Sequence, residues 1–196
     1  MALIKSISGF RGTIGGKTND GLTPIDTVKF VSAFAAFIKE TYNKEKITIV
    51  LGRDARVSGE MVSHLVVGTL MGMGVDVIDT GLSTTPTVEV AVTEKKADAG
   101  IILTASHNPM QWNALKFLNA KGEFISASEG KRVLELAASE DFLFAEVDKL
   151  GHCISDTTTI DMHIEKVLAL ELVDVEAIKQ ANFKVAYDAV CSTGGL

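Results

Sequence analysis

Thr104-Ala105-Ser106-His107-Asn108-Pro109 follows the apolar run Ile101-Ile102-Leu103 and is itself followed by Asn113-Ala114-Leu115-Lys116-Phe117. A buried strand that ends in a hydroxyl, an imidazole, an amide and a chain-stopping proline presents polar groups where a strand leaves the core. Ser106 could act there as a nucleophile, and the same cluster could also be an ordinary turn. A second set of groups is basic. Only four of the 19 basic side chains are arginine, and three of those four, Arg11, Arg53 and Arg56, lie in glycine-flanked stretches, Gly-Phe-Arg-Gly-Thr and Gly-Arg-Asp-Ala-Arg-Val-Ser-Gly. The guanidinium fork fits phosphate better than an ammonium does. Loops of this kind at the carboxyl ends of strands could converge on an anion, or Arg53 and Asp54 could simply form a local ion pair that caps the next helix.

Three more familiar readings fail on their details. Arg11-Gly12-Thr13-Ile14-Gly15-Gly16-Lys17-Thr18 has an arginine where a nucleotide P-loop needs glycine, and Asn19-Asp20-Gly21 separates it from the next helix start. Gly72-Met73-Gly74 ends a helix rather than following a strand, so it is no dinucleotide fingerprint. Adjacent Ser106 and His107 lack the Gly-x-Ser-x-Gly elbow, and neighbouring side chains rarely aim at each other as a hydrolase requires. His64 falls in a helix, and nothing around His152 or His163 has metal-ligand spacing.

The elements that must position these groups alternate between helix and strand. Thr23-Pro24-Ile25-Asp26 has the cap, the proline and the acid of a helix start. Ile25, Val28, Val31, Ala35, Ile38 and Tyr42 then form one apolar face. Strands are expected at Ile47–Leu51, Val75–Asp79, Ala99–Leu103 and Leu115–Asn119. Helices are expected from Ser58 to Gly72–Gly74, from Thr85-Pro86 to Lys96, and from Ser128 to Ser139. Val88–Val92 also alternates as a strand would. The pattern predicts a three-layer α/β/α domain with a mostly parallel mixed sheet over residues 1–150. Residues 151–160 read as a linker with an edge segment. Residues 161–196, with helices at Asp161–Leu170 and Val173–Ala181 and a strand at Lys184–Asp188, read as the truncated start of a second α/β domain.

The chain has 196 residues, 46% hydrophobic and 22% charged, with a net charge of -6. That composition supports a sizeable core and disfavours nucleic acid or an anionic membrane surface as partner. The two cysteines, Cys153 and Cys191, fit no metal or redox spacing, and the N-terminal stretch lacks signal-peptide architecture, so a cytoplasmic location is expected.

The hexapeptide with the Asn113–Phe117 segment strongly resembles the phosphoserine loop of the α-D-phosphohexomutases, a family that includes phosphoglucosamine mutase, phosphomannomutase and phosphoglucomutase. Ser8-Gly9-Phe10-Arg11-Gly12 resembles the family's N-terminal arginine motif, Gly52 to Gly59 its Gly-Arg-Asp-x-Arg-x-Ser-Gly, and Val185-Ala186-Tyr187-Asp188 to Gly194-Gly195 the start of its second domain. The resemblance implies an isomerase in which Ser106 carries a phosphoryl group, gives it to a hexose monophosphate and recovers it from the other end of a hexose 1,6-bisphosphate. It implies that Arg11 and Lys116 stabilise the transferring group, that His107 supports the phosphoserine, and that Asn108, Asn113, Arg53 and Arg56 support loop or substrate. It also implies Mg²⁺, with one ligand from phosphorylated Ser106. The family's Asp-x-Asp-x-Asp metal loop is absent from these residues, so the chain alone is expected to lack turnover. Ala114 stands where the family usually has glycine, which predicts a slightly altered backbone before Lys116. Ala105 and the Leu115–Leu118 run lean toward the phosphoglucosamine branch. An oligomer is compatible with the sequence.

Overall fold

The computed structural model describes residues 2–6 and 9–195. Ser8 of the N-terminal arginine motif therefore lies outside the described residues. Seven strands, β1 (Leu3–Ser6), β2 (Gly9–Thr13), β3 (Thr48–Arg53), β4 (Asp76–Leu82), β5 (Ala99–Leu103), β6 (Trp112–Leu118) and β7 (Cys153–Ser155), form one sheet in the order β1-β2-β6-β5-β3-β4-β7. The half β5-β3-β4-β7 is parallel and the half β1-β2-β6-β5 is antiparallel. The helices are α1 (Pro24–Tyr42), α2 (Gly59–Gly72), α3 (Thr85–Glu94), α4 (Ala127–Ser139), α5 (Thr159–Leu168) and α6 (Val175–Ala181).

α1 begins where its residue types require. The Asp26 N–H donates to Thr23 Oγ1 (3.3 Å) and the Thr23 N–H donates to Asp26 Oδ2 (3.1 Å), a reciprocal capping box. Its buried face keeps Val31, Ala35 and Ile38 of the predicted one but leaves Ile25 and Tyr42 exposed and adds Phe30, Phe34 and Phe37. The aromatic series wins because α1 lies between α2 and α4 and its broadest side chains fill the space over the sheet. α3 resolves as a helix with Thr84 as its cap, so the competing alternation at Val88–Val92 does not form a strand.

α1, α2 and α4 cover one face of the sheet, where Phe10, Leu115 and Phe117 belong to the main core. On the other face α3 packs on Val50, Ile102 and Leu118, and α5 packs on α3. Side chains alternate along a strand. Arg11, paired with Ala114, and Lys116, paired with Gly9 and Ile102, therefore belong to the α3 side.

The edge segment expected within residues 151–160 is present: Cys153–Ser155 pairs with β4 and extends the sheet, because Val77 and Ile78 leave an unpaired edge that a short segment can satisfy. The C-terminal strand expected further on needs correction. Lys184–Asp188 does not form a strand and is exposed, since no described strand edge lies beside it to supply hydrogen bonds.

The connection between β7 and α5 carries a pH-sensitive contact. Lys95 pairs with Asp156 at 2.6 Å, and the Thr158 N–H and hydroxyl donate to Asp156 Oδ1 at 2.8 and 2.7 Å. These hydrogen bonds hold the Asp156 carboxyl down at about 2, below its ordinary 3.8. A depressed carboxylate stabilises the fold above its unfolded pKa and loses that contribution as pH falls toward the folded one. Amide protection of α5 is thus expected to weaken between pH 4 and pH 2 more steeply than in Asp156→Asn, as followed by hydrogen exchange. Equal pH profiles in the two proteins would show that Asp156 does not anchor α5.

Candidate active site

The chain runs from β3 through α2 to β4, then back through α3 on the opposite face to β5 on β3's other side. The carboxyl ends of β3 and β5 thus form a topological switch point, the crevice where open α/β sheets bind ligands. The Arg53–Ser58 loop leaves one of these strands and the Thr104–Gln111 loop leaves the other. A backbone bond from Asp54 N to Leu103 O (3.0 Å) ties them together at their bases.

Ser106 stands exposed on the second loop with φ +53°, a left-handed backbone that is uncommon for a residue other than glycine. Several bonds impose it. The Ser106 N–H donates to Thr104 Oγ1 (3.1 Å), while Asn108 donates to the Ala105 carbonyl from both its backbone N (3.0 Å) and its Nδ2 (2.7 Å). Arg56 reaches across from the other loop. Its Nη2 donates to the carbonyls of Ser106 and Asn108 (both 2.7 Å) and its Nη1 to those of Pro109 and Trp112 (both 3.0 Å). Its Nε faces Asp54 Oδ2 at 3.3 Å, and its backbone N–H donates to Asp54 Oδ1 at 3.1 Å. His107 Nδ1 lies 3.5 Å from Ser106 Oγ, too long a contact for proton transfer in this conformation.

Arg11 and Lys116 line a pocket of about 230 Å³ together with Ser6, Gly9, Ala114 and Leu115. Ser106 and His107 stand on the exposed loop and are not part of that lining. Arg11 lies on β2, not on a loop as its glycine-rich surroundings implied, and its Nε is buried without a hydrogen-bond partner among the described residues. Gly9 has a specific reason to be glycine. Its φ is +145°, and a Cβ there would come within 2.0 Å of the Leu115 carbonyl oxygen. Ala114 sits in regular register opposite Arg11 with no positive φ.

Asn113 is fully buried. Its Nδ2 donates to Ser58 Oγ (3.0 Å) and its Oδ1 accepts from Ala114 N (2.8 Å), joining the start of α2 to β6. Ser58 spends its hydroxyl there rather than on capping α2. Arg53 parts company with Arg56. It donates only to the Asp54 carbonyl (3.3 Å) and lines a separate hollow of about 590 Å³ with Glu60, His64, Asp79 and Cys153. The ion pair of the arginine loop therefore joins Asp54 to Arg56, and Arg53 has no part in it.

Glu89 of α3 was not apparent as a site residue from sequence. Burial pushes its carboxyl up, and the positive charge of Lys116 partly offsets that. Its one signal was a carboxylate between Val88 and Val90. Among the described residues no three His, Cys, Asp or Glu side chains gather so as to hold a metal ion. No helix among them is long and apolar enough to cross a membrane.

Comparison with known proteins gives this geometry a family. The family model for phosphoglucomutase/phosphomannomutase, alpha/beta/alpha domain I, matches residues 3–144. A phosphoglucomutase/phosphomannomutase of Thermococcus kodakarensis is 36% identical over 94% of this chain and 40% of its own length. A phosphoglucosamine mutase of Macrococcus caseolyticus is 39% identical over 72% of this chain and 32% of its own. The crystal structure of a putative phosphomannomutase from Thermus thermophilus superposes with a TM-score of 0.74 at 27% identity, over 90% of this chain and 37% of that one. The chain thus spans less than half the length of these relatives. With β1 to α4 inside the matched span, and the exposed serine at the switch point within it, the chain belongs to the phosphoglucomutase/phosphomannomutase family and carries its α/β/α domain I.

Proposed function

We propose that the complete protein is a phosphohexomutase that interconverts hexose 1-phosphate and hexose 6-phosphate, with hexosamine phosphates as the leading substrates. The observation that carries this reading is Ser106, exposed on a left-handed turn at the switch point and held there by Arg56, with Arg11 and Lys116 on the adjoining strands. Relatives named phosphoglucosamine mutase support the amino-sugar preference. The Thermococcus relative's name favours glucose and mannose phosphates as the second reading.

In the reaction, phosphorylated Ser106 loses its phosphoryl group to a hydroxyl of the hexose monophosphate. The bond from Ser106 Oγ to phosphorus breaks, the bond from the sugar oxygen to phosphorus forms, and the hydroxyl proton passes by way of a base to Ser106 Oγ. After the 1,6-bisphosphate reorients, the sugar oxygen–phosphorus bond at its other end breaks, the bond from Ser106 Oγ to phosphorus forms again, and the serine proton passes to the sugar oxygen. Such transfer demands positioning and charge neutralisation more than covalent chemistry. Arg11 and Lys116 supply fixed positive charge on one face. His107 supports the phosphoserine oxygens, and Asn108 holds the turn.

The residues present do not by themselves fit a magnesium site, because Mg²⁺ needs clustered oxygen ligands and no such cluster exists among the described residues. Magnesium in the complete protein would take ligands from outside this chain, with one oxygen from phosphorylated Ser106. Residues 161–196 are read as leading into a second domain, the complete protein as cytoplasmic, and the chain alone as without turnover.

Arg11→Ala and Lys116→Ala in the complete protein are each expected to lower kcat by roughly 10²–10³-fold while KM moves by no more than about threefold, because their charge matters most as the phosphoryl group transfers. Steady-state kinetics on glucosamine, glucose and mannose phosphates test this together with the substrate preference. A rise in KM alone would make them ground-state binding groups. A non-catalytic sugar-phosphate binder would fail to move label from hexose bisphosphate onto Ser106.

A further inference from the structure

We infer that Arg56 is the positioning residue for Ser106: it fixes the left-handed turn that presents the serine hydroxyl and takes no part in holding substrate. The inference rests on the reading of Ser106 as the phosphoryl carrier and deepens it by assigning Arg56 to position the serine rather than bind substrate. Its basis is an accounting of donors. A guanidinium has five N–H groups in a fixed plane. Four of Arg56's point at the carbonyls of Ser106, Asn108, Pro109 and Trp112, and the fifth, on Nε, is buried beside Asp54 Oδ2 at 3.3 Å, an ion-pair contact without a hydrogen bond. None remains within reach of a phosphate. The side chain is also only 11% exposed, lying under the loop rather than in front of it.

The carbonyls it collects explain the shape of the loop. Ser106, Asn108 and Pro109 belong to the turn and Trp112 opens β6, so one rigid plane defines both the turn and its exit into the strand. Four carbonyl oxygens converging on one point would repel each other without a cation between them. Arg56 is held in turn by Asp54, whose N–H is bonded to the last residue of β5. The line β5, Asp54, Arg56, loop therefore transmits the rigidity of the sheet to Ser106 before any ligand arrives. Lysine cannot replace this arrangement, because an ammonium offers three donors from a single nitrogen and cannot address two pairs of carbonyls in one plane. Arg53, in the same loop but with a single backbone bond, serves as the internal control.

Two measurements on Arg56→Lys and Arg56→Ala decide the matter. In the chain itself, the amides of Asn108 and Trp112, which bond to Ala105 and Pro109 within the loop, are expected to exchange at least about tenfold faster in both variants, while those of β3 and β5 are unchanged. In the complete protein, kcat is expected to fall about 100-fold or more with KM within about threefold, since misplacing a reacting atom costs rate more than binding. Arg53→Lys should leave loop exchange as it was. If Arg56→Ala fails to fold, Arg56→Lys, which keeps the charge beside Asp54, carries the test. Unchanged exchange at Asn108 and Trp112 in a natively folded Arg56→Lys protein overturns the inference. So does a variant that raises KM alone, which would make Arg56 a substrate contact. Failure of the phosphohexomutase reading would show separately, as absence of Ser106 labelling in the unsubstituted protein, and would leave the exchange result standing.

Discussion

Replacing Ser106 with alanine is expected to abolish phosphoryl exchange in the complete protein and leave its fold untouched. Both halves follow from where the residue stands. Its side chain is exposed, and its hydroxyl makes one long contact, 3.5 Å to His107 Nδ1. The bonds that hold the turn use backbone atoms of Ser106, the N–H to Thr104 and the carbonyl from Arg56, and alanine keeps both. The loss of stability should therefore stay within about 0.5 kcal/mol, the usual range for surface substitutions. Activity should fall by a factor on the order of 10⁴ or more, because a methyl group cannot carry the phosphoryl group between the two ends of the sugar. Transfer of label from a hexose 1,6-bisphosphate to the protein, measured beside a thermal melt, checks both statements at once. A variant that melts normally and keeps more than about a tenth of the exchange rate would remove Ser106 from the mechanism.

What could be read in the sequence was mostly local. The capping box at Thr23 and Asp26, the buried run of β5 and the polar cluster after it are each set by neighbours within a few residues. Features that depend on distant partners were not legible. Gly9–Thr13 reads as a loop because two of its five residues are glycine, yet it is a strand, since β6 offers it a full register of hydrogen bonds. Cys153–Ser155 falls in a stretch that reads as an edge segment, but its partner, the free edge of β4, was not apparent. Lys184–Asp188 shows the converse, with good β-forming residues and no described edge to join. At the site, the sequence pointed to arginines in the right loops but could not distinguish Arg56, which holds the Ser106 turn, from Arg53, which faces another hollow. That difference depends on carbonyls some 50 positions away in the chain.

The second large effect should come from the core beneath the site. Phe10 stacks on Phe30 with ring centroids 3.7 Å apart, Phe34 stacks on Phe117 at 4.1 Å, and Phe10 meets Phe117 edge-on at 5.7 Å. Each site strand alternates one of these rings with a cation, Phe10 before Arg11 and Phe117 after Lys116, so the aromatic cluster on one face sets where the charges stand on the other. Phe117 is fully buried, and Phe117→Ala is expected to cost about 3–5 kcal/mol through lost transfer energy and the cavity left behind. That is a large part of the ~5–15 kcal/mol that holds a typical domain together. Phe124 is the matched control. It is 40% exposed, and its ring centroid lies 5.7 Å from Lys116 Nζ, so Phe124→Ala gives up a partly solvated cation–π contact worth about 0.5–1 kcal/mol. Urea unfolding of the chain followed by circular dichroism should show a large drop in midpoint for the first variant and a small one for the second, with unchanged slopes. Equal midpoints would mean that the ring cluster does not hold the antiparallel half of the sheet, and the placement of Arg11 and Lys116 would then have to come from backbone pairing alone.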